Sequence, residues 1–292
     1  MKSRLIAVNG VGLNLDRKIV TASGLPATTE SAGIMRIATI DECIDGLDNN
    51  SAMTPLDVMQ MLYEYELVKP PENKFTVGIL PNRSRIKIQE NGVWRDFIII
   101  WQGARDETYR GFENGTTLIR ERALAARRMH SPNMNDYANS EMAAWLNGTY
   151  LNTIQSGIRS QIKQVRIPFR PGNGTSTAIN SGNNGLLTRV FLVSRGEVFG
   201  SGSTGPDRDG VSWVDFPATG VILNDSGNET GVWYRTPYNF PNIRYFVHVR
   251  AGSSSFVEAT RTDFAPRPIF VIPDNTELLP VPDSTGAFFV QA

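Results

Sequence analysis

Ser140-Glu141-Met142-Ala143-Ala144-Trp145-Leu146-Asn147-Gly148-Thr149-Tyr150 is the clearest helical stretch of this 292-residue chain, and its surroundings decide the fold class. Ser140 stands where a cap belongs, and Met142, Ala143, Trp145 and Leu146 follow at helical spacing. A second short helix is expected over about 152–163. Strand patterns lie on both sides of the pair. Upstream, Phe75 to Leu80, Arg85 to Gln89 and Trp94 to Trp101 read as strands, with Glu90-Asn91-Gly92 as the hairpin turn between the last two. Downstream, Arg189 to Val193, Val232 to Arg235, Tyr245 to Arg250, Ser255 to Thr260 and Pro268 to Ile272 complete a set of short strands. Two helices inside a run of strands indicate an α+β fold with segregated elements. The last strand is led by Pro268, which predicts that it begins at a sheet edge. Polar loops are expected over 172–185 and 200–210.

The N-terminal part has a different texture. Arg4 to Val8 and Arg17 to Ala22 are strand-like pieces, followed by a Pro/Thr/Ser linker over Leu25 to Ser31. Ala32 to Thr39 alternates as a brief strand, and Thr39 with Glu42 could open a helical turn as a capping box. Thr54 caps a further helix with Pro55 at its first position, and Pro70-Pro71 stops it. Leu56, Met59, Leu62 and Tyr63 form an apolar stripe along that helix. Such a stripe is a packing face, and in so thin a region the expected partner is the same helix of another subunit.

Composition narrows the function classes. Hydrophobic residues make up 40% and charged residues 20%, which suits a chain with a real core rather than a disordered one. Lys+Arg and Asp+Glu both total 29, so no electrostatic footprint for nucleic acid or an anionic membrane is expected. With the single cysteine Cys43, no intrachain disulfide can form. Met1 to Val8 holds no apolar run long enough for a signal peptide, and no stretch approaches the ~18 apolar residues of a membrane span. Synthesis in a cytoplasm and no membrane insertion are the expectation.

Two segments carry a resemblance. Ala32-Gly33-Ile34-Met35-Arg36-Ile37-Ala38-Thr39-Ile40-Asp41-Glu42, then Gly46 and Ser51-Ala52-Met53-Thr54-Pro55-Leu56, resembles a segment that recurs in bacteriophage tail-fibre proteins. There it lies in a trimeric shaft or just before the tip. The resemblance implies a homotrimer, with Ile34, Ile37, Leu56, Met59, Leu62 and Tyr63 as trimerisation candidates. It also implies that residues 1–72 attach to other tail or baseplate proteins. The second resemblance covers roughly 92–272. Gly92-Val93-Trp94-Arg95-Asp96-Phe97-Ile98-Ile99, Ser140 through Asn152, and Trp233-Tyr234-Arg235-Thr236-Pro237 with Arg267-Pro268 are similar to an uncharacterised family. That family has a C-type-lectin-like fold related to the formylglycine-generating enzymes. It implies a lectin-like head over 74–280, followed by a tail over 281–292 whose apolar end could dock on a neighbouring subunit.

The catalytic chemistries of related folds lack their residues. Formylglycine-generating enzymes work through cysteines, and Cys43 lies outside the lectin-like region. Calcium-dependent lectins ligate the ion through Glu-Pro-Asn and Trp-Asn-Asp segments. Here Phe240-Pro241-Asn242 lacks the acid, and Asp207-Arg208-Asp209-Gly210 with Asp215 reads as a turn rather than a metal loop. A nucleophilic hydrolase needs a base beside its nucleophile; only His130 and His248 are present, and both read as structural. The basic run Arg120, Arg122, Arg127 and Arg128 reads as a solvated face or a subunit contact. No phosphate-cradling loop occurs, since the glycines of 200–205 lack the following Lys and helix. No enzyme activity, cofactor or metal is therefore expected.

What remains is a recognition surface. Between Trp233 and Arg267 lie Tyr238, Asn239, Phe240, Asn242, Arg244, Tyr245, Ser254, Phe256, Arg261, Asp263 and Phe264. Rings supply contact area at low entropic cost, and short polar side chains adapt their hydrogen bonds. These are the receptor-binding candidates, directed at a host cell-surface glycan or protein, and the expected location is the virion, in a tail or fibre tip. The alternatives are a structural head-fibre, decoration, collar or baseplate protein without a receptor, and a glycan-degrading enzyme.

Overall fold

The computed structural model describes residues 5–8, 11–14, 19–21, 75–132, 134–171, 178–200, 209–213, 221–238, 244–250 and 253–291. The chain divides into two compact units, Met1–Lys74 and Phe75–Ala292. In the first, β1 (Leu5–Val8), β2 (Val11–Asn14) and β3 (Ile19–Thr21) form an antiparallel sheet, with Leu5 opposite Asn14 and Val11 opposite Thr21. The sequence reading anticipates β1 and β3 and passes over β2. The strand of 32–39, the helix after Thr54, Cys43 and the candidates Ile34, Ile37, Leu56, Met59, Leu62 and Tyr63 lie outside the described residues.

The second unit is mixed α+β, mostly strands with a few short helices. Its hairpin of β4 (Arg85–Glu90) and β5 (Val93–Gln102) turns on Asn91 and Gly92, both at positive φ (50° and 77°). A two-residue turn of that conformation matches the twist of the flanking strands, and Asn-Gly adopts it at low cost. β4 then alternates, with Ile86, Ile88 and Glu90 inward and Arg85, Lys87 and Gln89 outward. β5 pairs with β6 (Gly115–Arg120), which is buried along its whole length, and β6 pairs with β14 (Ile269–Pro273). With β9 (Val190–Phe191) and β15 (Phe288–Phe289) they form a six-stranded sheet of order β15-β4-β5-β6-β14-β9.

That order corrects two expectations. β14 is an inner strand rather than an edge. Pro268 precedes it, so its missing N–H interrupts nothing, while its carbonyl accepts from the Arg120 N–H at 3.0 Å. The end of the chain is not a separate tail: Phe288 pairs with Ile86 in parallel, and Ala287 and Val290 are buried within their own unit. The segment expected as a strand over 75–80 is a bridge at Thr76 followed by the 3-10 turn Val77–Ile79.

Both faces of this sheet are covered. Phe97, Ile99, Leu118, Phe270 and Ile272 pack toward Met142, Leu146, Tyr150 and Ile158. Their alternates Ile100, Ile119, Ile269 and Val271 pack with Tyr109, Phe112, Phe191 and Trp213. Each such side chain contributes about 1.5–3 kcal/mol.

The predicted helix forms, in pieces. Ser140 Oγ accepts from the Ala143 N–H at 3.0 Å and starts α1 (Glu141–Trp145), which passes into the π-helical turn Leu146–Tyr150 and the 3-10 turn Leu151–Thr153. Asn147 accounts for the change of winding. Its Nδ2 donates to the carbonyls of Ala143 and Val190, and its Oδ1 accepts from the N–H groups of Arg189 and Val190 and the Thr188 hydroxyl. A side chain that bonds the carbonyl four residues back competes with the helical ladder. The expected second helix shrinks to α2 (Ser156–Gln161), because Ile154 is drawn into a bridge with Glu90. A two-stranded pair, β7 (Val165–Ile167) and β8 (Leu186–Thr188), and the helix α3 (Arg195–Phe199) are not anticipated by the sequence reading.

Candidate functional site

The recognition candidates fall on a four-stranded sheet of order β12-β11-β10-β13, built from β10 (Gly231–Pro237), β11 (Arg244–Arg250), β12 (Ser253–Glu258) and β13 (Phe264–Ala265). β10 is buried from Val232 to Pro237, so it anchors the sheet. Trp233 Nε1 donates to the Arg127 carbonyl at 2.8 Å, and its ring meets Tyr245 edge-on at 6.3 Å and Phe264 at 5.3 Å.

Beneath this sheet sits a buried ion pair. Arg235 Nη1 donates to Glu197 Oε2 at 2.6 Å and Nη2 to Oε1 at 2.8 Å, both side chains 0% exposed. Arg235 also donates to the carbonyls of Leu192, Pro168 and Asp209, while Glu197 accepts from the Tyr109 hydroxyl and the Ser194 N–H. Ser194 Oγ in turn accepts from the Glu197 N–H, a capping box that starts α3. Burial, with the negative charge of Glu197 beside it, drives the Tyr109 hydroxyl well above its ordinary range. Asp209 completes the cluster: its Oδ2 accepts from the Thr236 hydroxyl at 2.7 Å, and burial pushes its carboxyl up to about 6. Asp209 is thus turned into the core; Asp207, Arg208 and Asp215 lie outside the described residues.

The expected recognition residues separate under the fold. Tyr238 and Phe256 come together, stacked at 4.2 Å with 12° between the rings, and Phe256 stays 38% exposed. Arg261 and Asp263 form an exposed ion pair, Nε to Oδ1 at 2.8 Å. Tyr245 and Phe264 are buried around Trp233 instead, so they hold the sheet together and present nothing to a partner. The alternation of β11 turns Tyr245 and Val247 inward. Arg244 and Ser254 lie in β11 and β12, with side chains outside the description, and Asn239, Phe240 and Asn242 lie outside the described residues.

The basic run is divided in the same way. Arg120, expected on a solvated face, is 1% exposed: its Nε donates to both oxygens of Glu90 at 3.1 Å, and Nη1 and Nη2 donate to Asp225 at 2.8 and 2.9 Å. Burial opposes its charge, and these bonds more than restore it. Tyr150 donates to Glu90 at 2.6 Å from the core side. Arg127 lies over the Trp145 ring at 3.8 Å, Arg128 pairs with Glu141 at 2.8 Å, and Arg122 remains on the surface. His130 Nδ1 accepts from the Glu141 N–H at 3.1 Å, a capping role at the start of α1.

Arg120 and Arg235, both buried and ion-paired, are the functional-looking groups that sequence reasoning missed. For Arg235 a signal existed, since Ser194-Arg195-Gly196-Glu197 has capping-box spacing; for Arg120, the last residue of an otherwise apolar-patterned strand, there was none. Among the described residues no three His, Cys, Asp or Glu side chains converge as metal ligands, and no helix is long and apolar enough to cross a membrane. A family model for a domain of unknown function, DUF6273, matches residues 114–274. The match runs from the start of β6 to the end of β14 and takes in both helices beside the sheet and the Arg235 cluster. No curated protein and no solved structure matches the chain.

Proposed function

We propose that this chain, which belongs to the DUF6273 family of domains of unknown function, is a bacteriophage virion protein of the tail-fibre or receptor-binding kind. On this reading the unit of Phe75–Ala292 is a C-type-lectin-like head that binds a host surface glycan or protein. The N-terminal unit joins three copies together and attaches them to other tail or baseplate proteins.

The observation that carries the reading is the stacked pair Tyr238 and Phe256. The Tyr238 ring is half-buried against the core and holds Phe256, which stays exposed, in a parallel stack. The same sheet region carries an exposed Arg261–Asp263 ion pair, and β10 is locked by Arg235 and Glu197. Exposed rings with adaptable polar neighbours on a rigid support are the composition of a binding face. The tail-fibre resemblance of residues 32–56 supplies the virion context, and the lectin-like blocks at 92–99, 140–152 and 233–237 supply the head.

The test is direct binding of the fluorescently labelled full chain to a panel of bacterial strains. The wild type is expected to label a subset of strains, and Phe256→Ser to label them at least about tenfold less at equal concentration. Equal labelling by the two proteins, or labelling of no strain by the folded trimer, contradicts the reading.

A further inference from the structure

A polar groove around Arg122 is built differently from the face at Phe256. It consists of two adjoining cavities, of about 420 and about 230 Å³, which share Asp96 and Arg122 in their walls. The larger is also lined by the charged Arg85, Glu121 and Arg267 and the apolar Ile98, Val221, Ile222 and Leu223, and the smaller by Trp94, Arg95, Arg120 and Asp225. The larger falls in the size range of small-ligand sites, about 300–1,000 Å³.

The walls are mostly charged and already ordered. Arg85 pairs with Glu121 at 2.5 Å, Lys87 with Asp96 at 2.9 Å, and Asp225 with Arg120 at 2.8 Å and Arg95 at 3.6 Å. Arg267, 5% exposed, is fixed by donation from Nε to the Arg120 carbonyl at 2.8 Å. Charged donors and acceptors are thus held at set positions beside an apolar stretch, a lining that suits a ligand with hydroxyls and an apolar ring face. Arg122 stands apart: among the described residues no carboxylate lies within ion-pair distance, and its Nη1 makes only a long 3.4 Å bond to the Asn224 carbonyl. Arg122 lines both cavities, and a guanidinium fork without a carboxylate partner suits a planar anion. Trp94, 39% exposed, lines the smaller cavity with Arg122 and is held edge-on by Phe289 at 5.0 Å. An indole in that position offers a flat apolar face to one side of a sugar ring.

We infer that this groove binds an acidic saccharide unit, with its carboxylate on Arg122 and its ring against Trp94. The inference names a ligand class for the surface-binding head, and its site is separate from the Tyr238–Phe256 face, so the two can fail separately.

The experiment is an array of uronate- and sialate-bearing oligosaccharides beside neutral ones of equal length, probed with the full chain and followed by titration of the best ligand. The acidic members are expected to bind at least about tenfold more tightly than their neutral counterparts, and Arg122→Gln to lose about tenfold in affinity. Trp94→Ala is expected to weaken every bound member, and inorganic phosphate at equal concentration not to displace them. The unfolding midpoint of Arg122→Gln is expected to match the wild type, because its side chain has one long bond. Absence of acidic binding by the folded wild type, equal binding of neutral and acidic members, displacement by phosphate, or unchanged affinity in Arg122→Gln overturns the inference. Phe256→Ser is expected to keep the array pattern; its loss there would place the saccharide on the other face and overturn this one.

Discussion

Arg235 and Glu197 meet through two hydrogen bonds of 2.6 and 2.8 Å with neither side chain exposed, and every remaining polar position of the pair is used. This joins β10, the anchor of the C-terminal sheet, to the first turn of α3 and, through Leu192 and Pro168, to the loops beside them. A pair so buried need not add net stability over an apolar pair of equal volume, but removing one partner leaves a bare charge in the core.

Arg235→Met and Glu197→Gln are therefore each expected to lower stability by about 3–5 kcal/mol. Urea unfolding of the full chain, followed by tryptophan fluorescence, measures this, since Trp213 and Trp233 are both buried. A loss under about 1 kcal/mol, the range of an exposed ion pair, would contradict the anchoring role.

Asp209 yields a pH dependence. Burial, its largest influence, raises the carboxyl to about 6, against the opposing pull of Arg235 and the Thr236 hydroxyl. An acid whose folded pKa is raised holds its proton longer in the folded state. Its contribution is thus fully present below about pH 4, the unfolded value, and is lost as pH rises through about 6. Asp209→Asn has no proton to release, so its stability relative to wild type is expected to rise from about pH 4 to about pH 7, on the order of 2 kcal/mol. Urea midpoints of both proteins at the two pH values decide it; a pH-independent difference sinks the assignment.

Asn147 ties the π-helical turn to β8 and β9 with bonds from both ends of its amide. Asn147→Ala leaves backbone groups of Arg189 and Val190 without those partners and is expected to cost on the order of 2–4 kcal/mol. Asn147→Asp should recover little, because an acceptor replaces the donor to the Ala143 and Val190 carbonyls. Denaturation of the two variants beside wild type is the measurement.

How far the sequence carried the fold follows from the kind of signal each element bears. Asn91-Gly92, the Ser140 cap and the alternation of Arg85 to Gln89 are local, and all three are found where the pattern places them. β6 was unreadable because Gly115-Thr116-Thr117-Leu118-Ile119-Arg120 is buried on both faces; Thr116 and Arg120 find their side-chain partners only in the folded chain. The edge position expected for β14 failed because Pro268 sits one residue before the ladder. Among the site residues, Phe256, Arg261 and Asp263 lie exposed and Tyr238 is half-buried beneath Phe256. Aromatic and polar character could not exclude Tyr245 and Phe264, which the pleat of β11 and the ring of Trp233 turn inward.

The stack of Tyr238 on Phe256 also separates recognition from stability. An aromatic pair contributes about 0.5–1.5 kcal/mol beyond its buried area, and this one is partly open to solvent. Tyr238→Ala is expected to unfold within about 1.5 kcal/mol of wild type while losing most of its labelling of bacterial cells. A variant that labels cells normally removes this pair from the binding face.

The most direct test of the account is adsorption competition. Purified full-length protein is mixed with host bacteria before phage is added, and the free phage is counted. The account predicts that wild-type protein blocks adsorption and that Phe256→Ser, folded to the same degree, does not. A folded wild-type protein that leaves adsorption unchanged at saturating concentration would contradict receptor binding and point to a structural place in the virion.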